Sequence, residues 1–397
     1  MARNRLIYII LALAMVVFSA AYQSRLSAVL LIAVLCYPVL AAVCVLICSR
    51  TTDIGFADPS DRAGSGGPRI VRQKCEAFDL WIYVRSRSVF PCAPVELRCN
   101  LPDRDYGLFT SKRIYASVPP LGKCRVSVQV MHRYRGAYAA EISRAAFFDP
   151  LRIIRIGRKL TSEATLIFLP RKLDFGELIA EAPGEESTDP TQLLRGEREE
   201  FSHVREYVQG DMMQLVHWKL TAKLDELMIK QYDETTERRS VVLCDYRRSS
   251  ADLPDPGMAM KQADAVIEAA IAITMASVKS GVSTRVDFGT MNGDYRMDIR
   301  DMSDFERFYD TTAVMPTSLD TMELRQLIAD GSRGASVVFL ITGRLTEELI
   351  AMVNDAAEGF HGLFVLANVE PGVSPELEAR AKQQSFEYLP IKEKTAG

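Results

Sequence analysis

Residues 205–233 read REYVQGDMMQLVHWKLTAKLDELMIKQYD and divide the chain: the residues before them anchor and space, and those after them build one α/β domain. Val208-Gln209-Gly210-Asp211 has turn chemistry, because Gly210 tolerates a positive φ and the Asp211 carboxylate can accept N–H groups at a helix start. Gln214 comes three residues after Asp211, at capping-box spacing, and Leu215, Trp218 and Ala222 fall on one helical face. The pattern predicts an amphipathic helix from Met212, anchored by Trp218. Leu227 to Tyr232 then alternates as a half-buried strand does. Arg205, Lys219 and Lys230 are thereby brought within reach of Glu206, Asp211 or Glu234.

Outward toward the C-terminus, strand and helix patterns alternate. Strands are expected at 241–245, 284–288, 335–342, 363–368 and 386–390, with a short one at 295–299 suited to a hairpin edge. Helices are expected at 258–279, 304–309, 322–329, 346–358 and 375–384. Connections this long rule out hairpins between most strands and predict a mainly parallel, doubly wound sheet.

Toward the N-terminus, Leu6 to Tyr22 and Leu26 to Cys48 are charge-free apolar runs, each near the ~20 residues that cross a hydrocarbon core. Only Gln23, Ser24 and Arg25 separate them, which predicts a helical hairpin. Arg3, Arg5, Arg50, Arg62, Arg69, Arg72 and Lys74 flank its open end against Arg25 at its tip, so the positive-inside rule places the soluble part in the cytoplasm. A cleaved signal peptide over Met1–Ala21, with Ser19 and Ala21 before the cut, ranks second. The expected layout is a two-helix anchor at 1–50, a linker at 51–73, a β-sandwich at 74–170, an acidic connector at 171–198 and the α/β domain at 199–397. The sandwich rests on alternating runs at Phe78–Val84, Val95–Leu101 and Val126–Val130 separated by proline turns. Gly136 is expected to make a turn or bulge against which Tyr138 packs, and Asp149-Pro150 a rigid turn.

A net charge of -3 and the absence of a basic surplus argue against nucleic acid as a partner. The eight cysteines form no CxxC pair and read as small apolar residues in a reducing compartment. Cys244 beside Asp245 has the look of a nucleophile, but its place at the end of an apolar strand reads as core.

The pattern formed by Arg205, Glu206, Tyr207, Gly210, Asp211, His217, Trp218, Lys219, Ala222, Lys223, Lys230 and Glu234 resembles the signature of the bacterial family known as domain of unknown function 58. Arg135-Gly136-Ala137-Tyr138 and Phe148-Asp149-Pro150-Leu151 match it too. The resemblance implies a membrane-anchored protein with an immunoglobulin-like β-domain and a von Willebrand factor A-like domain. It also implies a MoxR-type AAA+ ATPase as partner, with a transglutaminase-like membrane protein as another.

A von Willebrand A-like domain can hold a divalent metal through Asp-x-Ser-x-Ser after its first strand. The loop here is Asp245-Tyr246-Arg247-Arg248-Ser249: Asp245 and Ser249 fit, but Arg247 puts a positive charge where a hydroxyl belongs. Gly343-Arg344 stands where a second acidic ligand is expected. No metal and no cofactor are therefore expected, and Asp245, Arg247, Arg248 and Ser249 read as a mixed-charge rim for a partner protein. His203 and His217 have no metal-ligand spacing. The expected function is a non-enzymatic, membrane-tethered cytoplasmic adaptor for the ATPase. Two alternatives stand beside it: a membrane-associated hydrolase with its site around Asp211 and His217, and a metal-dependent protein-binding module.

Overall fold

The computed structural model describes residues 1–22, 24–57, 67–91, 93–103, 109–178, 194, 203–208, 220–222, 226–231, 239–246, 256–316, 319–369 and 373–391. The chain divides into two compact units, Met1–Leu169 and Pro170–Gly397.

The first unit opens with helices α1 (Ala2–Tyr22) and α2 (Arg25–Thr51), both long and apolar enough to cross a membrane. Ser24 starts α2 by accepting the Ser27 N–H on its hydroxyl at 3.1 Å. Most apolar side chains on both helices are exposed, but Val45 and Cys48 near the end of α2 join the core of the β-region. There the Arg158 guanidinium donates to the carbonyls of Ser49 and Thr52, the latter at 2.8 Å. A cation is favourable at that end of a helix, where unsatisfied carbonyls carry the negative pole.

Eight strands come next: β1 (Thr52–Phe56), β2 (Arg69–Gln73), β3 (Phe78–Ser86), β4 (Val95–Pro102), β5 (Phe109–Ala116), β6 (Lys123–Val130), β7 (Gly136–Phe148) and β8 (Arg155–Leu169). One sheet has the order β1-β3-β6 and the other β2-β8-β7-β4-β5. All pairs are antiparallel except β2 with β8. Alternate residues of β3 (Leu80, Ile82, Val84) and of β4 (Val95, Leu97, Cys99, Leu101) are buried, and both sheets contribute to one core. Residues 51–73, expected as a linker, instead supply β1 and β2. Their polar Gly/Pro/Asp centre hides two short runs whose Ile54, Phe56 and Ile70 are buried.

Gly136 opens β7 at φ +139°, and a Cβ there would lie 3.2 Å from the Tyr138 ring. Gly136→Ala is expected to cost about 2 kcal/mol, since a side chain in that backbone region is strained even before the ring is displaced. Urea unfolding monitored by circular dichroism checks it, and a loss below the error of the measurement would remove the glycine's special role.

The second unit begins with α3 (Phe175–Leu178) and an antiparallel pair, β9 (His203–Glu206) with β10 (Met228–Gln231). Then come β11 (Arg239–Asp245), α4 (Pro256–Lys279), β12 (Ser283–Asp287), β13 (Arg296–Ile299), α5 (Met302–Val314), α6 (Leu324–Gly331), β14 (Val337–Thr342), α7 (Glu347–Glu358), β15 (Leu363–Asn368), α8 (Pro375–Lys382) and β16 (Glu387–Pro390). The sheet order is β13-β12-β11-β14-β15-β16, parallel except for β13, which pairs antiparallel with β12 at the edge. All of β14 and β15 is buried, as a strand covered on both faces must be. Helix α5 is longer than its apolar pattern suggests because Asp301 caps it, accepting the Asp304 N–H at 2.9 Å.

Residues 171–178 fall where an acidic connector was expected, yet with Pro170 they are packed into this unit. The Phe175 ring is buried and meets Phe339 of β14 edge to face at 6.3 Å. Arg171 grips Glu268 of α4, donating from its backbone N–H at 2.9 Å and from Nη2 at 3.0 Å. Lys172 pairs with Glu306 at 2.8 Å and lies 4.2 Å from the Tyr309 ring centroid, while the Tyr309 hydroxyl donates to the Pro170 carbonyl at 2.7 Å.

Candidate functional site

The carboxyl-terminal edge of a doubly wound sheet is where such folds place their ligands, since the strands end there in loops that leave backbone groups and short polar side chains free to turn outward. Here that edge brings together residues from four strands: Asp245 ends β11, Asp287 ends β12, Thr342 ends β14 and Asn368 ends β15. Asp245 and Thr342 are register partners, and the Thr342 hydroxyl lies 3.3 Å from Asp245 Oδ2. The same hydroxyl donates to the Arg344 carbonyl at 2.9 Å and accepts the Arg344 N–H at 3.2 Å. This ties the loop after β14 to the rim.

Asp287 is buried and holds the next loop. It accepts the Gly289 N–H at 2.8 Å and the Arg296 guanidinium at 2.6 Å, with Gly289 at φ +64° where a side chain is disfavoured. Tyr246 turns inward from the rim, its hydroxyl donating to Pro316 O at 3.1 Å and its ring meeting Phe288 at 5.9 Å. Between Cys244, Asp245, Tyr246, Gly289 and Met322 lies a crevice of about 150 Å³, counting space open to solvent. Ligand pockets run to roughly 300–1,000 Å³, so this crevice is a seam between loops rather than a small-molecule site.

Cys244 is fully buried, and burial, reinforced by Asp287 and Asp245, pushes its thiol well above the ordinary range. A thiol held protonated is neither a nucleophile nor a metal ligand at neutral pH. Cys99 in the first unit is buried likewise, its thiol pushed up to about 12. Neither is expected to react with iodoacetamide at pH 8 until the protein is unfolded, whereas the half-buried Cys75 and Cys124 should be labelled more readily. Labelling of Cys244 in the folded protein, read by peptide mass spectrometry, would revive the nucleophile reading.

Of the residues singled out from sequence, Asp245 stands on this rim, while Arg247, Arg248 and Ser249 lie outside the described residues. Among the described residues, no group of three His, Cys, Asp or Glu side chains could hold a metal ion. The position after β14 where an acidic ligand would stand is Gly343-Arg344, and the Arg344 backbone there is bonded to the Thr342 hydroxyl.

The signature residues divide similarly. Arg205 and Glu206 lie on β9, where Arg205 pairs with Ile229 and Glu206 with Met228, while Lys230 of β10 pairs with Val204. Beyond the pair, the Tyr207 N–H donates to Leu227 O at 2.8 Å and the Met228 N–H to Thr221 Oγ1 at 3.0 Å. The first half of the signature is thus one strand of a pair whose second strand was the only one anticipated. His203-Val204-Arg205-Glu206 is too short and too polar to announce itself by alternation. Residues 220–222 are helical, while Gly210, Asp211, His217, Trp218, Lys219, Lys223 and Glu234, with the helix start at Met212, lie outside the described residues.

Solved structures with similar elements include the CARDB domain of the PF1109 protein from Pyrococcus furiosus in complex with di-metal ions. It is 12% identical, with 30% of this chain and 92% of that one covered and a TM-score of 0.19. The ASH/PapD-like domain 7 of human CEP192 is also 12% identical, with 30% and 85% covered and a TM-score of 0.20. Scores of this size carry no inference about shared fold or activity. No curated protein matches the sequence. Residues 203–359, from β9 through the end of α7, match the family described as "Protein of unknown function DUF58".

Proposed function

We propose that the chain is a membrane-tethered cytoplasmic adaptor that presents a von Willebrand factor A-like domain to a MoxR-type AAA+ ATPase. The observation that carries the reading is the strand order of the second unit. In chain order its sheet runs 3-2-1-4-5-6 with an antiparallel edge, an arrangement compatible with a von Willebrand A-like domain, and its switch point falls between β11 and β14. At that switch point the half-buried Asp245 and the exposed Arg344 stand beside a narrow seam, above the buried Asp287, Thr342 and Asn368, and this exposed loop edge is where a protein would dock. In the first unit, two sheets sharing one core support an immunoglobulin-like spacer. The two apolar helices and the arginines flanking their open end support a membrane anchor with both units in the cytoplasm. Tethering confines a bound partner to the membrane surface and raises its effective concentration there.

Affinity purification of the full-length protein from its native membrane, with mass spectrometry of what remains bound, tests the reading. An AAA+ ATPase is expected in the eluate, and its recovery should fall with Arg344→Glu on the exposed rim loop at unchanged melting temperature. A folded protein that brings down no such ATPase after cross-linking overturns the proposal.

A further inference from the structure

Two turns of the first unit's β-region are bonded to the apolar helices, one of them to Tyr37 in the middle of α2 as well as to the first turn of α1, the other to Cys48 in the last turn of α2. The turn after β7, Asp149 to Ile154, receives the Tyr37 hydroxyl on Asp149 Oδ2 at 3.0 Å, Asn4 Nδ2 on the Leu151 carbonyl at 2.9 Å and Arg5 Nε on the Ile153 carbonyl at 2.8 Å. The turn after β3 is held lower down: the Cys48 thiol donates to Ser88 Oγ at 3.3 Å and lies 3.6 Å from the Phe90 carbonyl. Each turn shows apolar side chains to solvent: Leu151 is 49% exposed, Val89 69% and Phe90 40%. Both are rigidly built. Asp149 accepts three backbone N–H groups within its turn, and Ser88 accepts the Phe90 N–H at 3.0 Å.

These bonds set depths. Tyr37 lies thirteen residues from the hairpin tip at Ser24, and at 1.5 Å per residue the Asp149 turn stands about 20 Å from the tip along α2. Along α1, from Tyr22 to Arg5, the same reckoning gives about 26 Å. A hydrocarbon core is about 30 Å thick, so a hairpin whose polar tip, with Arg25, reaches the far headgroups draws this turn roughly 4–10 Å inside the near boundary. Tilting the helices deepens the turn further. Cys48, about 36 Å from the tip, puts Val89 and Phe90 in the headgroup layer, which is roughly 5–8 Å thick on each side.

We infer that the first unit is seated in the lipid surface itself, with Leu151 at the acyl boundary and Val89 and Phe90 among the headgroups, rather than held off the membrane by a linker. The chemistry of the turns suits that layer. Leu151 and Ile153 are apolar, and the exposed Arg152, stacked 5.8 Å over the Phe148 ring, has a stem long enough to carry its charge back to the phosphates. Strand β1 continues from α2 without a spacer, so no slack exists to lift the sheets away.

The inference rests on the membrane-anchor reading, and one experiment separates the two. A photoreactive benzoylphenylalanine is placed singly at Val16, Val89, Leu151 or Glu76 in the full-length protein. The protein is then reconstituted in phosphatidylethanolamine–phosphatidylglycerol vesicles, irradiated and examined for lipid adducts by mass spectrometry. Glu76 is the control, since the nine-residue β3 separates it from Val89 by about 30 Å. Lipid adducts at Leu151 and Val89 comparable with those at Val16, and background at Glu76, are expected. Adducts at Val16 with background at both Leu151 and Val89 overturn the seating while leaving the anchor intact. Background at Val16 overturns the anchor and the seating with it.

Discussion

Glu268→Ala is expected to remove about 3 kcal/mol from the second unit, the scale of a buried ion pair broken from one side. The Glu268 side chain is only 5% exposed, and it accepts the Arg171 backbone N–H, Nε and Nη2 together. Alanine leaves a guanidinium and an amide without their acceptor in a place water reaches poorly, and it loosens the segment that carries Phe175 into the core against Phe339. Glu268→Gln keeps an acceptor and should lose less. Lys172→Ala, which breaks an exposed pair with Glu306, should cost no more than about 1 kcal/mol. Thermal and urea unfolding of the full-length protein in detergent reads all three, and a Glu268→Ala loss no larger than that of Lys172→Ala would mean that residues 170–178 do not clamp this unit. The neighbouring Tyr309 hydroxyl is the pH-sensitive part of the clamp. Burial first, and then the nearby carboxylates, push it up to about 12. Its folded value lies above the ordinary tyrosine value, so its contribution is fully present below about pH 10 and is lost as pH rises through about 12.

The sequence announces some parts of this fold and conceals others for identifiable reasons. Strands β11, β14 and β15 are continuous apolar runs bounded by polar turns, and α4 and α7 repeat their apolar residues at helical spacing. Nothing else competes for those patterns, so the α/β alternation and even the antiparallel edge β13 are legible. The clamp at Arg171 is not: its partner is 97 residues away, and a basic pair before an acidic stretch looks like any solvated linker. Strands β1 and β2 are hidden by brevity. At the rim, Asp245 is legible as the end of an apolar strand, whereas the Thr342 hydroxyl facing it depends on a parallel register that no local spacing encodes. The structural work of Asp287, bound to Gly289 two residues on and to its antiparallel register partner Arg296, is missed because no local motif marks a carboxylate at the end of a strand as buried.

Asp149→Ala should be strongly damaging to the first unit, at about 4 kcal/mol, because one buried carboxylate satisfies several donors at once. Its Oδ1 accepts the N–H groups of Ile153 and Ile154, both at 2.7 Å, and its Oδ2 accepts the Leu151 N–H at 3.2 Å and the Tyr37 hydroxyl at 3.0 Å. Pro150 fixes the backbone just after it, and Arg152 turns into the left-handed region at φ +54°, donating its N–H to the Asp149 carbonyl at 2.9 Å. Without the carboxylate the turn has nothing to close around, and the joint between the β-sheets and helix α2 opens with it. Asparagine separates charge from geometry. With its carbonyl oxygen in the Oδ1 position, Asp149→Asn still accepts from Ile153 and Ile154 and its amide can donate to Tyr37, but it loses the bond from the Leu151 N–H, so a loss of about 1–2 kcal/mol is expected. Tyr37→Phe removes only the helix contact and should cost about 1 kcal/mol or less. Unfolding of the three variants in detergent micelles, followed by circular dichroism, gives the ranking Ala, then Asn, then Phe. Equal losses for Asp149→Ala and Asp149→Asn would mean that the negative charge, not the set of accepted N–H groups, holds this turn to the membrane helices.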